Sequence, residues 1–167
     1  MKIIFLDVDG VLNSEIWNSG HKNEIEHGIL IDEEKIKLLS RLVKETNAKI
    51  VLHSGWRFWF DKNMTPIRKE SVILSERFKI YDIEIHDFTP DLSNEEIKRN
   101  KNFSIVKADE ILLWINNHND ISSWLVIDDL DLNNPLVSLR QIKPNSKYGI
   151  TENDVLKAER YFSTVLI

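Results

Sequence analysis

Asp7 and Asp9, in the run Lys2-Ile3-Ile4-Phe5-Leu6-Asp7-Val8-Asp9-Gly10-Val11-Leu12, are the residues whose type and spacing speak first of chemistry. The apolar stretch Ile3-Ile4-Phe5-Leu6 has the character of a strand buried on both faces of a parallel sheet. It ends in two carboxylates one residue apart, followed by Gly10, which lets the backbone turn sharply. A carboxylate at the edge of a core is costly unless it is paired, hydrogen-bonded or bound to a metal. The pair therefore calls for a cation. A capping pair in a tight turn is the simpler alternative, and other polar groups decide between the two.

Two more apolar runs end in the same way. Ala48-Lys49-Ile50-Val51-Leu52-His53 leads into Ser54-Gly55, and Trp124-Leu125-Val126-Ile127 leads into Asp128-Asp129. Ligands of open α/β sheets bind at the carboxyl ends of the strands, so parallel strands would bring these polar ends to one rim. Lys107 stands near the start of the helix expected over Ile105 to Asn117, which runs back from that rim. Lys107 thus joins the cluster, although Lys98 and Lys101 lie close by in sequence. Arg57 reads either as a bidentate clamp for a phosphate or as a surface ion pair. Asp131 reads as loop.

Periodicity locates the strands and helices that carry these groups. Asp32 is placed to cap a helix, with Glu33 and Glu34 in its first turn and Ile36, Leu39, Leu42 and Val43 at helical spacing, and Asn47 ends it. Strand, helix and strand then form a right-handed parallel βαβ unit. Asn13 to Ile31 is polar, contains Gly20 and Gly28, and reads as a loop or flap whose His21 and His27 could meet a substrate. Val72 to Phe78 reads as a short helix and Ile80 to Ile85 as a strand. Ser93 to Arg99 reads as a polar loop or short helix, and Val137 to Ile142 as a further strand. The helix over Ile105 to Asn117 turns Ala108, Ile111, Leu112 and Ile115 to one side. A last helix, capped by Thr151 with Asp154 three residues on, runs to Phe162. The aromatic cluster Trp56, Phe58, Trp59 and Phe60 reads as core, with a base-stacking platform as the alternative. His53, inside a strand, reads as packed or hydrogen-bonded.

Composition sets outer limits. The chain of 167 residues is long enough for one domain with a real core, and 42% hydrophobic with 29% charged residues is an ordinary globular balance. Without cysteine there are no disulfides, thiolate metal sites or Cys nucleophile. The histidines lack metal-ligand spacing, which argues against zinc. No leader or membrane-spanning run is evident, and a cytoplasmic protein is expected, with no membrane and no obligate protein partner. The net charge of −5 argues against a broad electrostatic grip on nucleic acid.

The order Asp7-Val8-Asp9-Gly10-Val11-Leu12, strand-Ser54, Lys107, strand-Asp128-Asp129 resembles the four motifs of the haloacid dehalogenase (HAD) superfamily. Ser54-Gly55-Trp56-Arg57 and Ile127-Asp128-Asp129 are similar to the HAD domains of bacterial and phage nucleic-acid repair proteins. The resemblance implies an α/β, Rossmann-like three-layer fold with a central parallel sheet and a minimal or absent cap, a single HAD-like domain over residues 1–167. It implies Mg²⁺-dependent hydrolysis of a phosphomonoester, in which Asp7 is the nucleophile and Asp9 the acid and base. Mg²⁺ would be held by Asp7, the Asp9 carbonyl and Asp128 or Asp129. Ser54, the Gly55 amide and Lys107 would bind the phosphoryl group, and the partner would be a phosphorylated small molecule or nucleic-acid end. A receiver-like phospho-acceptor domain is a rival, but its acceptor would be expected on a middle strand with the acidic pair on the first. A non-catalytic HAD-like binding module is the other rival, against which intact Asp7 and Asp9 weigh.

Overall fold

A strand with large apolar side chains on both sides needs cover on both sides. The computed structural model, which describes residues 1–164, provides it. β1 (Lys2–Leu6), β2 (Lys49–Leu52), β3 (Ile85–Phe88), β4 (Ser123–Ile127) and β5 (Gln141–Ile142) form a five-stranded, all-parallel sheet in the order β3-β2-β1-β4-β5. β1 is central, and Ile3 to Leu6 are fully buried.

The two-residue period of the strands divides the core. Ile4, Leu6, Ile50, Leu52, Leu125 and Ile127 pack on one side against α3 (Glu33–Thr46), α4 (Lys69–Ile80) and α8 (Glu152–Thr164). Ile3, Phe5, Val51 and Val126 pack on the other against Ala108, Ile111 and Trp114 of α6 (Ser104–Asn116). The fold is α/β, Rossmann-like and three-layered. The chain winds outward from β1 to β2 and β3, then crosses back to β4 and β5. The winding therefore reverses between β1 and β4, the place where such sheets bind ligands.

Several elements differ from the sequence reading. Asn13 to Ile31 is no simple flap: it holds α1 (Glu15–Gly20) and α2 (Lys22–Glu26). These helices are too short to show periodicity, and α1 starts because the Ser14 hydroxyl accepts the Trp17 amide. Ile80 ends α4 rather than beginning a strand. Asp82, at φ 56°, then reverses the chain, and the strand waits until Ile85. Val137 belongs to α7 (Pro135–Ser138), where Asn134 accepts the Leu136 and Val137 amides and Pro135 fits the first turn, so β5 keeps only two residues. Of the two readings of Ser93 to Arg99, the short helix is the one found, as α5 (Glu95–Asn100). On α6, Trp114 is buried where Leu112 and Ile115 are half-buried.

Other expectations hold. Asp32 caps α3 through the Glu34 amide, and Asn47 closes it in the left-handed conformation. Thr151 donates its amide and hydroxyl to Asp154 Oδ2 at 2.9 and 2.7 Å, so Asp fills the place of Glu in a capping box. The reading of one domain over residues 1–167 reaches beyond the described residues at 165–167. Among the described residues, no helix is long and apolar enough to cross a membrane.

Phe5 joins the sheet to α6, its ring meeting Trp114 and Trp124 edge-on at 5.4 and 6.0 Å. Phe5→Ala should therefore lower unfolding stability by about 3–5 kcal/mol in urea titration, with an unchanged slope if the native fold is kept.

Candidate active site

Strand register assembles the site. Leu6 is aligned with Leu52 on one side and with Ile127 on the other. One step further along, Asp7, His53 and Asp128 fall in one row across three strand ends, and the ladder continues there through His53 N–H to Leu6 O (3.1 Å) and Asp7 N–H to Ile127 O (2.9 Å). The same two-residue period puts this row on the Phe5, Val51 and Val126 side, which α6 covers. Lys107 reaches it from the first turns of α6, donating to Asp7 Oδ2 at 3.0 Å and Asp128 Oδ2 at 2.8 Å.

All of these groups are buried. Burial opposes the Lys107 charge, but Asp7 and Asp128 outweigh it and raise the lysine above its ordinary pKa. Burial, and then the charge of Asp7, push the Asp128 carboxyl up to about 7. His53 is driven far below its usual range by burial and by the cations Lys107 and Arg57, so its imidazole is neutral. Its Nε2 lies 3.2 Å from Asp128 Oδ2, yet neither ring nitrogen finds a well-aligned hydrogen bond among the described residues.

Asp9 and Asp129 occupy the wetter side of the rim. The exposed Asp9 carboxylate accepts Asn13 Nδ2–H at 2.9 Å on Oδ1 and Trp56 Nε1–H at 3.1 Å on Oδ2. Gly10, at φ 74°, passes so close to the Asp129 carboxylate that a Cβ there would collide with it. Asp129 is half-buried, and burial followed by the charge of Asp7 raises its pKa.

Ser54 caps the 3₁₀ turn Gly55–Trp59, its hydroxyl accepting the Trp56 amide at 3.2 Å. Gly55 opens that turn, where amides have no acceptor within the helix. Arg57 is not at the surface. Its guanidinium donates to Glu110 Oε2 (2.9 Å) and to the His53 and Ser54 carbonyls (3.1 and 3.0 Å), while Glu110 Oε1 accepts the Leu92 amide (3.0 Å). Of the two readings of Arg57 the ion pair forms, but as a buried strut beneath the rim rather than at the surface, while Arg57 still lines the cleft where a phosphate clamp would have to stand. Its partner was legible only as the residue one helical turn after Lys107.

Asp7, Asp9, Ser54, Gly55, Arg57, Lys107 and Asp129 all line one cleft of about 880 Å³. Asp128 is sealed beneath it. The aromatic cluster divides: Phe60 is core away from the cleft, Trp56 is core yet shows an edge to the cleft, and Phe58 and Trp59 line it with Phe103. Lys101 also lines it, while Asp131 stays in its loop. His21 stacks on Trp17, His27 meets the Asn23 carbonyl, and neither reaches this cleft.

The rim fits a metal ion. Asp7, His53 and Asp128 bring possible ligand atoms within 4.8 Å of one another. Asp9 and Asp129 add carboxylates nearby, and burial disfavours the anions of Asp128 and Asp129 in the absence of a cation. The donor set is rich in oxygen, which suits a hard divalent ion.

A family model described as the HAD domain in Swiss Army Knife RNA repair proteins matches residues 3–155. The chain belongs to this family. No curated protein and no solved structure matches the chain. Membership of this HAD family supports a phosphatase-like function, and the buried Asp7, His53 and Asp128 cluster is compatible with metal dependence.

Removing either partner of the Arg57–Glu110 strut should cost this HAD domain about 3–5 kcal/mol, because the other charge stays buried and unpaired. The double change Arg57→Met with Glu110→Leu should cost less than the sum of the single changes by at least about 1 kcal/mol, read from urea unfolding of all four proteins.

Proposed function

We propose that this protein is a Mg²⁺-dependent phosphomonoesterase working through an aspartyl-phosphate on Asp7. The observation that carries the reading is the pairing of two differently held carboxylates at the head of one cleft. Asp7 is clasped on Oδ2 by Lys107, and Asp9 stands in the open beside it. Asp7 Oδ1, which accepts no hydrogen bond among the described residues, attacks phosphorus in line with the ester oxygen. As the Asp7–phosphorus linkage forms and the ester bond breaks, protonated Asp9 gives its proton to the departing alcohol. Asp9, now a carboxylate, takes a proton from water while the water oxygen attacks phosphorus. Inorganic phosphate leaves, and both side chains return to their starting states.

Lys107 holds Asp7 in place and balances charge gathering on the phosphoryl oxygens, helped by the Ser54 hydroxyl and the Gly55 amide. The Arg57 guanidinium supports this floor through the Ser54 carbonyl. Asp7, the Asp9 carbonyl and Asp128 or Asp129 would hold Mg²⁺, which when bound offsets repulsion between the carboxylates and a dianionic phosphate.

For substrate we favour a phosphate at a nucleic-acid end. The matched family is named for RNA repair, and Phe58, Trp59 and Phe103 offer apolar faces on the cleft.

Wild type with Mg²⁺ should release phosphate from 4-nitrophenyl phosphate, and Asp7→Asn should abolish the release. Asp9→Asn should lower the rate by about 10²–10⁴-fold. Equal rates for wild type and Asp7→Asn would sink the enzyme reading. Mg²⁺ should raise the melting temperature of wild type, with a smaller rise in Asp129→Asn. Across a panel, 3′- or 5′-phosphorylated oligonucleotides should show a higher kcat/KM than sugar phosphates or mononucleotides.

A further inference from the structure

We propose that Trp56 and Asn13 are positioning residues that aim the Asp9 carboxylate at the ester oxygen. The inference rests on the phosphatase reading given above. Asp9 is exposed, so packing does not choose its rotamer, and a free carboxylate there would lose entropy each time it engaged a substrate. Its two oxygens are instead held by two separate N–H donors, Asn13 Nδ2 at 2.9 Å and Trp56 Nε1 at 3.1 Å.

Both donors are themselves fixed. Trp56 is 2% exposed, packs against Trp59 with ring centroids 4.7 Å apart and the planes tilted by 43°, and has its amide bonded to Ser54 Oγ. Asn13 is 5% exposed; its Oδ1 accepts the Gly10 amide at 2.9 Å and its Nδ2 also reaches the Leu30 carbonyl at 2.9 Å. A buried indole N–H needs an acceptor, and for Trp56 that acceptor is Asp9. The clamp also ties the carboxylate after β1 to the turn after β2, across 47 residues of chain.

Each carboxylate oxygen keeps lone-pair capacity beyond the one N–H it accepts, so the clamp leaves room for the proton that Asp9 must carry. In the step concerned, the Asp9 O–H bond breaks, its proton joins the ester oxygen, and the electron pair of the breaking P–O bond stays on that oxygen. An aryl oxygen can leave as a stable anion, whereas an alkyl oxygen needs the proton. Misaiming Asp9 must therefore hurt alkyl esters more than aryl esters.

The test compares kcat/KM, which reports ester cleavage, for 4-nitrophenyl phosphate and 2-phenylethyl phosphate. Trp56→Phe keeps an aromatic ring and removes the donor, and Asn13→Ser removes the second donor should the first variant fail to fold. Each should lower kcat/KM for the alkyl ester about tenfold more than for the aryl ester. Equal losses on both esters would overturn the inference, since simple packing damage does not sense the leaving group. A wild type that cleaves neither ester would instead overturn the phosphatase reading, and the inference with it.

Discussion

Three neighbouring strand ends place Asp7, His53 and Asp128 in one row, and the Lys107 ammonium is what makes that row tolerable. Buried carboxylates in adjacent strands repel each other and lose hydration, and either effect alone would unsettle the rim. Lys107 answers both carboxylates at once. It can do so because the return helix α6 starts at the carboxyl edge of the sheet, over the face to which the row points. The central strand, the crossing from β3 to β4 and the register on both sides of β1 are therefore tied to one ion cluster. The compensation is incomplete, as the raised Asp128 shows. That residual deficit is why the rim suits a further cation.

Around this cluster the protein uses two kinds of support. Beneath it, charge meets charge: Arg57 and Glu110 link the turn after β2 to α6, and Glu110 also fastens Leu92. Beside it, neutral donors from Trp56 and Asn13 hold Asp9 in the open cleft. The distinction suits the division of labour proposed for the two acids. A nucleophile benefits from a fixed, charge-balanced site, whereas a proton carrier must meet both substrate and water. Phe58, Trp59 and Phe103 give the cleft an apolar side beyond its carboxylates.

Much of this was written in the order of residues. Apolar runs ending at Asp7, Ser54 and Asp128 announce a parallel sheet with a polar rim, because burial on both faces leaves little room for any other reading of such strands. Caps at Asp32 and Thr151 are local hydrogen-bond chemistry, and local chemistry is visible in sequence. The short helices α1, α2 and α7 were not, since four to six residues are too few to display a period and their start depends on single side-chain contacts. The strand expected at Ile80 failed for a related reason: an apolar run does not say where a helix ends, and the reversal at Asp82 does.

Periodicity and residue type alone carry the sheet, the acids at its rim and the lysine near the start of α6. Their partners come from packing between distant segments. His53 beside Asp128, Glu110 beneath Arg57, and Trp56 on Asp9 are contacts between segments far apart in the chain. They are set by strand register and by the seating of α6 on the sheet, neither of which any local pattern encodes. Arg57 shows the consequence plainly, for its side chain left a phosphate clamp and a surface ion pair both open, and its neighbours drew it into a buried pair.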